Sequence, residues 1–275
     1  MIKLNNIQFS YTKGSPALTD ISFTIKPGIH LLAGENGAGK TTLLRIMAGL
    51  LTPDNGNCLI NDCDSLSDRP SQRGKVFMLE ENVYLPDKTI RKFAAHHSPF
   101  YPNFSQQLFE DNLKQFGLTG DEPMKSLSLG NRKKAQLAYV LALGTDLLLL
   151  DEPTNGLDIQ SKGVLRKIIA GSLSDHQTLV ISTHTVSELE NMFDGAIFIS
   201  KSRLIYAATA DEISSSMAFV SSSYPLPQAL YSEMEAGRYL NVIADENNET
   251  KTDWRLLYCA LNSSRSKEIT NILNS

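Results

Sequence analysis

Cysteine is scarce in this chain and forms no recognisable motif. The 275 residues include three cysteines, Cys58, Cys63 and Cys259. The spacing between Cys58 and Cys63 differs from C-x₂-C, so the sequence indicates neither a zinc-binding pair nor a thiol–disulfide redox motif. We expect reduced thiols that serve packing or lie at the surface.

An excess of positive charge is also missing. The formal net charge is −4, which gives the chain no general attraction to nucleic acid or anionic lipid. We therefore expect no nucleic-acid partner. The run Arg132-Lys133-Lys134 is a local exception, and we interpret it as the solvated face of a helix.

Long apolar runs are the third absence. The longest apolar neighbourhood, from Leu137 to Leu150, is interrupted by Gly144-Thr145-Asp146 and predicts a helix, a turn and a strand. It is too short and too broken to span a bilayer. The opening residues Met1-Ile2-Lys3-Leu4 also do not resemble a signal peptide. We expect a cytoplasmic chain that would need another polypeptide to move anything across a membrane.

What the sequence does contain is a glycine-rich loop between an apolar run, Ile29 to Ala33, and a helical pattern. The segment Gly34-Glu35-Asn36-Gly37-Ala38-Gly39-Lys40-Thr41-Thr42 fits G-x-x-x-x-G-K-[ST]. Its glycines let successive N–H groups face a phosphate, and the helix that follows adds its positive N-terminal end. The predicted ATP-binding residues of the loop are Asn36, Gly37, Ala38, Gly39, Lys40, Thr41 and Thr42.

Three side chains of this loop have separate predicted roles. Lys40 should reach the β- and γ-phosphates of a nucleotide. Thr41 should place its hydroxyl on Mg²⁺, and Thr42 could donate a hydrogen bond near the α-phosphate. Many classes of nucleotide-binding protein share such a loop, so it does not identify the reaction.

A pair of acids at the end of a second apolar run narrows the choice. The run from Asp146 to Leu150 is continuous with Asp151 and Glu152. It is typical of a parallel strand buried on both faces, whose carboxyl end is where open α/β sheets bind ligands. We predict that Asp151 holds Mg²⁺ through water and that Glu152 orients and deprotonates the attacking water.

Two further segments suggest contacts to phosphate. A third strand-like run begins at Thr178 and ends in His184, which could hydrogen-bond the γ-phosphate or be an ordinary strand-end histidine. A helical pattern follows Leu127 and carries Ser128 and Gly130 at its start. The N-terminus of that helix predicts a second anion site.

These motifs, in this order, resemble the ATPase subunit of ABC transporters: GENGAGKTT, then LSLGN, then LLLLDEPTNGLD, then STH. The resemblance spans about residues 1 to 210 and implies an α/β fold. Expected are a P-loop ATPase core with a mostly parallel sheet, an antiparallel β subdomain at the N-terminus, and a helical subdomain over about 87 to 142. Residues 211 to 275 resemble the C-terminal extension of drug, antibiotic or ion exporters of this family, although their serine-rich spacers could equally mark a flexible tail.

The resemblance also implies residue roles that the motifs alone do not. Tyr11 matches the aromatic residue that stacks on adenine; alternatively it is a strand tyrosine that packs on a neighbour. Asp158 matches a loop that touches the opposite subunit. Two ATPase subunits of this family, identical or different, meet head to tail, so that Ser128 and Gly130 of one cap the γ-phosphate bound to Lys40 of the other.

Two positions depart from the family pattern. Leu129 and Asn131 stand where the signature usually has glycine and glutamine, and leucine does not permit the close backbone approach of glycine. Glu80 stands where the family has a glutamine that senses Mg²⁺ and the membrane partner. The register of that loop leaves Glu81 as the alternative metal neighbour.

The sequence therefore predicts an ATP-hydrolysing subunit of an ABC transporter, an exporter, with Mg²⁺ as cofactor. Its expected place is the inner face of the cell membrane, beside an integral membrane subunit. The alternative is a soluble ABC ATPase without a transporter, such as one in iron–sulfur cluster assembly. A DNA-repair ATPase of the family would need a long coiled coil between Lys40 and Ser128, and the segment lacks sustained heptads.

Overall fold

A computed structural model describes residues 1–66, 74–81, 87–245 and 250–274. Its strands are β1 (Ile2–Thr12), β2 (Ser15–Ile25), β3 (Gly28–Ala33), β4 (Asn55–Ile60), β5 (Cys63–Asp64), β6 (Val76–Leu79), β7 (Leu147–Asp151), β8 (Thr178–Ser182), β9 (Gly195–Ser200), β10 (Arg203–Thr209), β11 (Met217–Ser222), β12 (Tyr231–Glu235) and β13 (Arg238–Ala244). Its α-helices are α1 (Lys40–Met47), α2 (Ile90–His97), α3 (Gln106–Gln115), α4 (Leu129–Val140), α5 (Ile159–Ser172), α6 (Ala210–Ser214), α7 (Trp254–Leu261) and α8 (Ser266–Leu273).

The central sheet has six strands in the order β10-β9-β3-β8-β7-β6. Strands β9, β3, β8, β7 and β6 are parallel, and β10 pairs antiparallel with β9. Alternate leucines of β7 enter different cores. Leu148 and Leu150 pack into one hydrophobic cluster, and Leu147 and Leu149 pack into the other. Because both faces are covered, an uninterrupted apolar strand is stable there.

The N-terminal strands form a separate antiparallel sheet in the order β2-β1-β4-β5. Alternating residues of β1, among them Ile2 and Leu4, are buried beside the core that also contains Leu43 of α1. The apolar–polar alternation in the sequence produces this one-sided burial. The mixture of a parallel-rich sheet, antiparallel sheets and helices is the fold class that the sequence predicts.

Helices dominate the segment between β6 and β7, as expected. Helix α2 begins after Thr89, α3 after Ser105 and α4 after Ser128, and each of these side chains accepts a hydrogen bond from a backbone N–H of the first helical turn. Such N-caps satisfy donors that the helix itself cannot pair. They fix where each helix starts.

The helix after the glycine-rich loop is shorter than the sequence suggests. Its pattern predicts a helix over Thr42 to Leu51, but α1 ends at Met47. The reason is Gly49, which has a φ of +70° and lies so close to Ser65 that a Cβ would be 2.4 Å from the Ser65 carbonyl oxygen. The left-handed glycine ends the helix.

Beyond residue 210 the chain forms a three-stranded antiparallel sheet, β11-β13-β12, followed by α7 and α8. The sequence from Arg238 to Ile243 is typical of a strand and forms β13, and the sequence after Asp253 is typical of a capped helix and forms α7, which that aspartate caps. Residues 245 to 248 are typical of a turn and fall mostly outside the described residues. None of the helices in the described part of the chain has the length and apolarity needed to cross a bilayer.

Candidate active site

The carboxyl ends of β3, β7 and β8 meet at one edge of the central sheet, beside a cavity of about 600 Å³. Most of the predicted binding and catalytic residues line this cavity: Tyr11, Asn36, Gly37, Gly39, Lys40, Thr41, Thr42, Asp151, Glu152 and His184. It is also lined by Glu81, the alternative metal neighbour, and by residues without a predicted role: Thr12, Ser15, Pro16, Ala17, Asn155 and Ser202. Parallel strands bring these distant segments together because their ends lie on the same edge.

The glycine-rich loop is shaped by close contacts with β2. Gly39 has a φ of +106°, and a Cβ there would lie 2.6 Å from the carbonyl oxygen of Ala17. Lys40 begins α1, and its ammonium donates hydrogen bonds to the carbonyl oxygens of Gly34 at 2.7 Å and Glu35 at 3.2 Å. Burial lowers the pKa of Lys40, and the charges of Glu152 and Asp151 oppose that shift.

Oxygen ligands converge beside this lysine. The Thr41 hydroxyl donates to Asp151 Oδ2 at 2.7 Å. The other carboxylate oxygen accepts a hydrogen bond from Ser182, the register partner of Asp151 on the adjacent strand. Hydroxyl and carboxylate oxygens are the ligands that Mg²⁺ prefers. The arrangement therefore fits the predicted metal role of Thr41 and Asp151.

Glu152 occupies an unusual backbone position. It has a φ of +46°, which is uncommon for a residue with a side chain and marks a position held in place by its surroundings. The side chain is 11% exposed. Glu152 Oε1 lies 3.0 Å from Nδ1 of His184, and among the described residues Oε2 is buried without a hydrogen-bond partner. Glu152 lines the cavity, so this oxygen is available to accept a hydrogen bond from a water molecule there.

Tyr11 lies at the mouth of the cavity. Its ring is exposed and meets Phe9 edge-on, with 4.9 Å between the ring centroids. The Tyr11 hydroxyl lies 3.2 Å from Thr42 Oγ1, so a hydrogen bond joins the tyrosine to the end of the glycine-rich loop. An exposed ring at this point can stack on a base.

The two glutamates after β6 have different surroundings. Glu80 accepts a hydrogen bond from Arg45 at 2.7 Å and is absent from the described lining of the cavity. Glu81 lines the cavity and accepts a hydrogen bond from Asn155 at 2.8 Å. The resemblance to the family pattern predicts Glu80 as the metal neighbour, whereas the structure places Glu81 in the cavity lining. A shift of one residue in the register of this loop changes which carboxylate faces the cavity, and the sequence pattern does not fix that register.

The signature residues lie on the surface, away from the cavity of their own chain. Ser128 is exposed and caps α4, and Leu129 is 74% exposed. A Cβ at Gly130 would lie 3.0 Å from the carbonyl oxygen of Gly156, so the helix start packs closely against the loop after Glu152. Among the described residues, neither Ser128 nor Gly130 lines the cavity.

Asp158 joins that loop to the signature helix. It caps α5 by accepting a hydrogen bond from the Ser161 N–H at 2.7 Å, and its carboxylate lies 3.6 Å from the Lys134 ammonium. The Ser161 hydrogen bond, helped by Lys134, lowers the pKa of Asp158. The aspartate is therefore held as a charged cap on the surface.

The basic run of the signature helix is not the solvated face that the sequence suggests. Lys133 is 5% exposed, whereas its neighbours Arg132 and Lys134 are partly exposed. Arg132 donates to the carbonyl oxygen of Leu127, and Lys134 pairs with Asp158. The expectation is wrong for Lys133 because three consecutive residues spread over about 200° of the helix circumference, which is more than the side of α4 that faces solvent. One of them must face the protein.

Sequence reasoning gave no role to Asn155 or Ser202, both of which line the cavity. Asn155 follows Glu152 by one turn and is fixed by its hydrogen bond to Glu81. Its position within DEPTN was the available signal. Ser202 belongs to the β9–β10 turn, which approaches β2 through a hydrogen bond from Ser202 Oγ to the Pro16 carbonyl oxygen at 3.1 Å. The residues around Ser202 contain no local pattern that predicts its contact with Pro16.

Comparison with known proteins identifies the family of the chain. The ABC transporter family model matches residues 18–155. The chain is 33% identical over 225 residues to the energy-coupling factor transporter ATP-binding protein EcfA2 of Methanospirillum hungatei, covering 77% of this chain and 56% of that protein. It is 30% identical over 206 residues to the ABC transporter ATP-binding protein NatA of Bacillus subtilis, covering 72% of this chain and 83% of that protein.

A solved structure supports the same architecture. The fold matches a dimeric ATP-binding cassette in a post-hydrolysis state, bound to ADP and phosphate, with a TM-score of 0.63. That match is 21% identical in sequence and covers 76% of this chain and 98% of the cassette. At this identity the likeness concerns the fold.

Proposed function

Since the chain belongs to the ABC transporter ATP-binding family and is an ABC-type ATPase, we propose that it powers a membrane transporter by hydrolysing ATP in a head-to-tail dimer. The observation that supports this most strongly is the convergence on one cavity of a phosphate loop, a hydroxyl–carboxylate pair and a buried carboxylate beside a histidine. Each group is positioned for one part of phosphoryl transfer to water.

The proposed roles follow the charges of the reaction. Lys40 and the loop N–H groups bind the phosphates, and Tyr11 stacks on the base. Glu152 accepts the proton of the water that attacks the γ-phosphorus, and His184 hydrogen-bonds the γ-phosphate and orients Glu152. Positioning and electrostatic stabilisation supply most of the rate enhancement in such transfers.

Mg²⁺ fits the oxygen ligands of Thr41 and, through water, Asp151. When bound with ATP it neutralises phosphate charge. Glu81 is the proposed third carboxylate of this region, in place of Glu80, because it lines the cavity and Glu80 pairs with Arg45. These residues would hold Mg²⁺ through their side-chain oxygen atoms.

The dimer is proposed because the signature serine is exposed and lies outside the cavity of its own chain. A second subunit facing the first head to tail brings Ser128 and Gly130 to the γ-phosphate, at the N-terminus of α4. ATP then closes the pair, and hydrolysis followed by release reopens it. The dimer state of the relative bound to ADP and phosphate is consistent with this cycle.

Mixing two inactive variants tests the head-to-tail arrangement. Lys40→Ala removes the phosphate-binding cation, and Ser128→Arg blocks the signature. A mixed dimer regains one complete site, formed by Lys40 of the second variant and Ser128 of the first. We expect phosphate release from the mixture and little from either variant alone, measured at equal total protein. A mixture as inactive as its components would contradict the shared site.

We further propose that the partner is an integral membrane subunit, that this chain sits on its cytoplasmic face, and that transport is outward. The family supports the membrane partner. The direction rests on the resemblance of residues 211 to 275 to exporter subunits.

Affinity purification of the tagged chain from detergent-solubilised membranes tests the partner. An integral membrane protein should co-purify in stoichiometric amount, and accumulation of its substrate in inverted vesicles upon ATP addition would support export. Recovery of the chain from the soluble fraction alone, fully active, would instead favour an ATPase without a transporter.

A further inference from the structure

Glu35 belongs to the glycine-rich loop but has no part in the reaction proposed above. The next two residues of the loop, Asn36 and Gly37, line the cavity, whereas Glu35 is not among the described lining residues. Its carboxylate instead accepts hydrogen bonds from residues more than 160 positions later in the chain. The side chain therefore connects the loop to other parts of the fold.

The first connection is to the turn between β9 and β10. The Ser200 hydroxyl lies 3.0 and 3.1 Å from the two carboxylate oxygens of Glu35 and donates to them, and the Lys201 N–H donates to Oε1 at 3.1 Å. The backbones are also close, because a Cβ at Gly34 would lie 2.5 Å from the carbonyl oxygen of Ile199. The start of the glycine-rich loop is therefore held against this turn.

The second connection is to the C-terminal extension. The Tyr258 hydroxyl of α7 donates a hydrogen bond to Glu35 Oε2 at 3.4 Å. The ring of Tyr258 packs on Phe198 of β9, with 5.8 Å between the ring centroids, and Trp254 of the same helix is 2% exposed. Because α7 is packed on the central sheet, it holds the hydroxyl at a fixed place beside the loop.

The backbone of Glu35 contributes to the geometry of the nucleotide site. Its carbonyl oxygen accepts hydrogen bonds from the Lys40 ammonium at 3.2 Å and from the Ala38 N–H at 3.1 Å. The residue whose side chain is anchored by the turn and by α7 is therefore in contact with the predicted phosphate-binding lysine. A loop that is held in its ligand-binding conformation loses less conformational freedom when the ligand binds. Anchoring Glu35 should favour the binding of ATP.

We propose that Glu35 is a positioning residue of the glycine-rich loop, and that the C-terminal extension strengthens ATP binding through the hydrogen bond from Tyr258 to Glu35. The inference rests on the proposed function and gives the extension a part in it. Tyr258 acts through Glu35, and Glu35 acts through the backbone of the loop, so neither side chain touches the reacting atoms.

Tyr258→Phe tests the contact, because it removes the hydroxyl and keeps the ring that packs on Phe198. We expect the dissociation constant for ATP to rise about threefold, as for the loss of one hydrogen bond, measured by titration with a fluorescent ATP analogue. The KM for ATP should rise by a similar factor. Turnover at saturating Mg²⁺-ATP should keep the wild-type value, because the proposed catalytic groups are unchanged.

Tyr206→Phe is the matched control for a purely structural role. The Tyr206 hydroxyl of β10 also joins the central sheet to the extension, but it donates to the carbonyl oxygen of Leu273 in α8, at 2.8 Å. We expect the two variants to have similar melting temperatures and Tyr206→Phe to bind ATP as tightly as the wild type. An equal loss of ATP affinity in both variants would mean that the hydroxyls act through the stability of the extension, and would overturn the proposal.

A double-mutant cycle with Glu35→Ala identifies the group on which the hydroxyl acts. Glu35→Ala also removes a negative charge from the loop, so its own effect on ATP affinity combines two changes, and the cycle isolates the contact with Tyr258. We expect Tyr258→Phe to cause no further change in affinity when Glu35 is already alanine. A threefold loss in that background as well would mean that Tyr258 acts on another group, which would contradict the proposal.

The outcomes distinguish this proposal from the function on which it rests. Wild-type protein that does not bind ATP would contradict both. Normal ATP binding by the wild type, with an unchanged dissociation constant in Tyr258→Phe, would overturn the role of the extension alone. Should Tyr258→Phe fail to fold, the hydroxyl would be structural, and the proposal would again be wrong.

Discussion

At the scale of single residues, Glu152 combines three properties that a general base needs. Its backbone is held in the left-handed region, its carboxylate is almost fully buried, and His184 orients one of its oxygens at 3.0 Å. The second oxygen is left without a described partner. A fixed carboxylate with a free buried acceptor is positioned to take a proton from water.

Glu152→Gln should therefore keep ATP binding and slow turnover. The amide preserves size and hydrogen bonding but accepts no proton, so we expect turnover to fall on the order of 10²- to 10⁴-fold. The ATP-bound dimer should accumulate and elute earlier in size-exclusion chromatography with Mg²⁺-ATP. Turnover at the wild-type rate would remove Glu152 from this role.

Glu80 and Glu81 differ by one position and should differ in function. Glu81 lines the cavity, whereas Glu80 forms an ion pair with Arg45. We expect Glu81→Gln to raise the Mg²⁺ concentration for half-maximal hydrolysis about three- to tenfold, equivalent to about 1 kcal/mol. Glu80→Gln is the matched control. It removes the ion pair with Arg45 and should lower the free energy of unfolding by at most about 1 kcal/mol, without a comparable change in the Mg²⁺ dependence. A shift confined to Glu80→Gln would reverse the assignment and restore the register predicted from the sequence.

At the scale of secondary structure elements, α4 links the surface signature to the core. Its first residue, Leu129, is exposed, and its fifth, Lys133, is buried. The helix therefore runs from the proposed dimer face into the interior of its own chain.

Leu129→Gly tests the departure from the family signature. Glycine permits a closer backbone approach to the phosphate of a second subunit, so we expect turnover at saturating Mg²⁺-ATP to rise about three- to tenfold, equivalent to about 1 kcal/mol. Leu129→Ala is the control, because it removes the bulk of the side chain and keeps the backbone restriction. Equal turnover in the two variants would show that the backbone restriction at residue 129 is unimportant.

The elements near the site could be predicted from the sequence because each has a local signal. The apolar run before Asp151 indicates a buried strand, and the glycine loop before Lys40 indicates a strand–loop–helix unit. Lys133 could not be predicted, since three consecutive basic residues look solvated until the helix has a neighbour. The choice between Glu80 and Glu81 also depends on how β6 ends, which tertiary contacts decide.

At the scale of the whole molecule, the C-terminal sheet and helices share a core with the ATPase sheet. Trp254, Leu257 and Ile269 belong to the same hydrophobic cluster as Leu148, and the rings of Trp254 and Phe198 have centroids 6.4 Å apart. The serine-rich stretch that suggested a flexible tail is in part strand β11. Its pairing with β13 is a non-local contact, which serine composition does not reveal.

The extension also reaches the phosphate loop. The Tyr258 hydroxyl of α7 lies 3.4 Å from Glu35 Oε2, and Ser200 donates a hydrogen bond to the same carboxylate. Although burial raises the pKa of Glu35, hydrogen bonds from the Lys201 N–H, from Ser200 and from Tyr258 lower it on balance. Glu35 therefore remains charged while it joins the loop to α7.

Trp254→Ala tests whether the extension is part of one folding unit. The side chain is 2% exposed, so its truncation should lower the free energy of unfolding by about 3–5 kcal/mol, measured by urea denaturation. Tyr224→Ala, at a ring that is 64% exposed, should change it little. A single cooperative transition that shifts is expected. Two transitions, of which only the smaller shifts, would mean that the extension folds independently.

The most direct test of the central claim is an ATP titration of the purified protein, followed by a phosphate-release assay, with the wild type and Lys40→Ala compared side by side. We predict saturable ATP binding and Mg²⁺-dependent phosphate release by the wild type. In Lys40→Ala the phosphates lose their principal point charge, so affinity should fall on the order of 100-fold, equivalent to about 2.7 kcal/mol. Equal affinity in the two proteins would contradict the assignment of the phosphate loop and the ATPase function built on it.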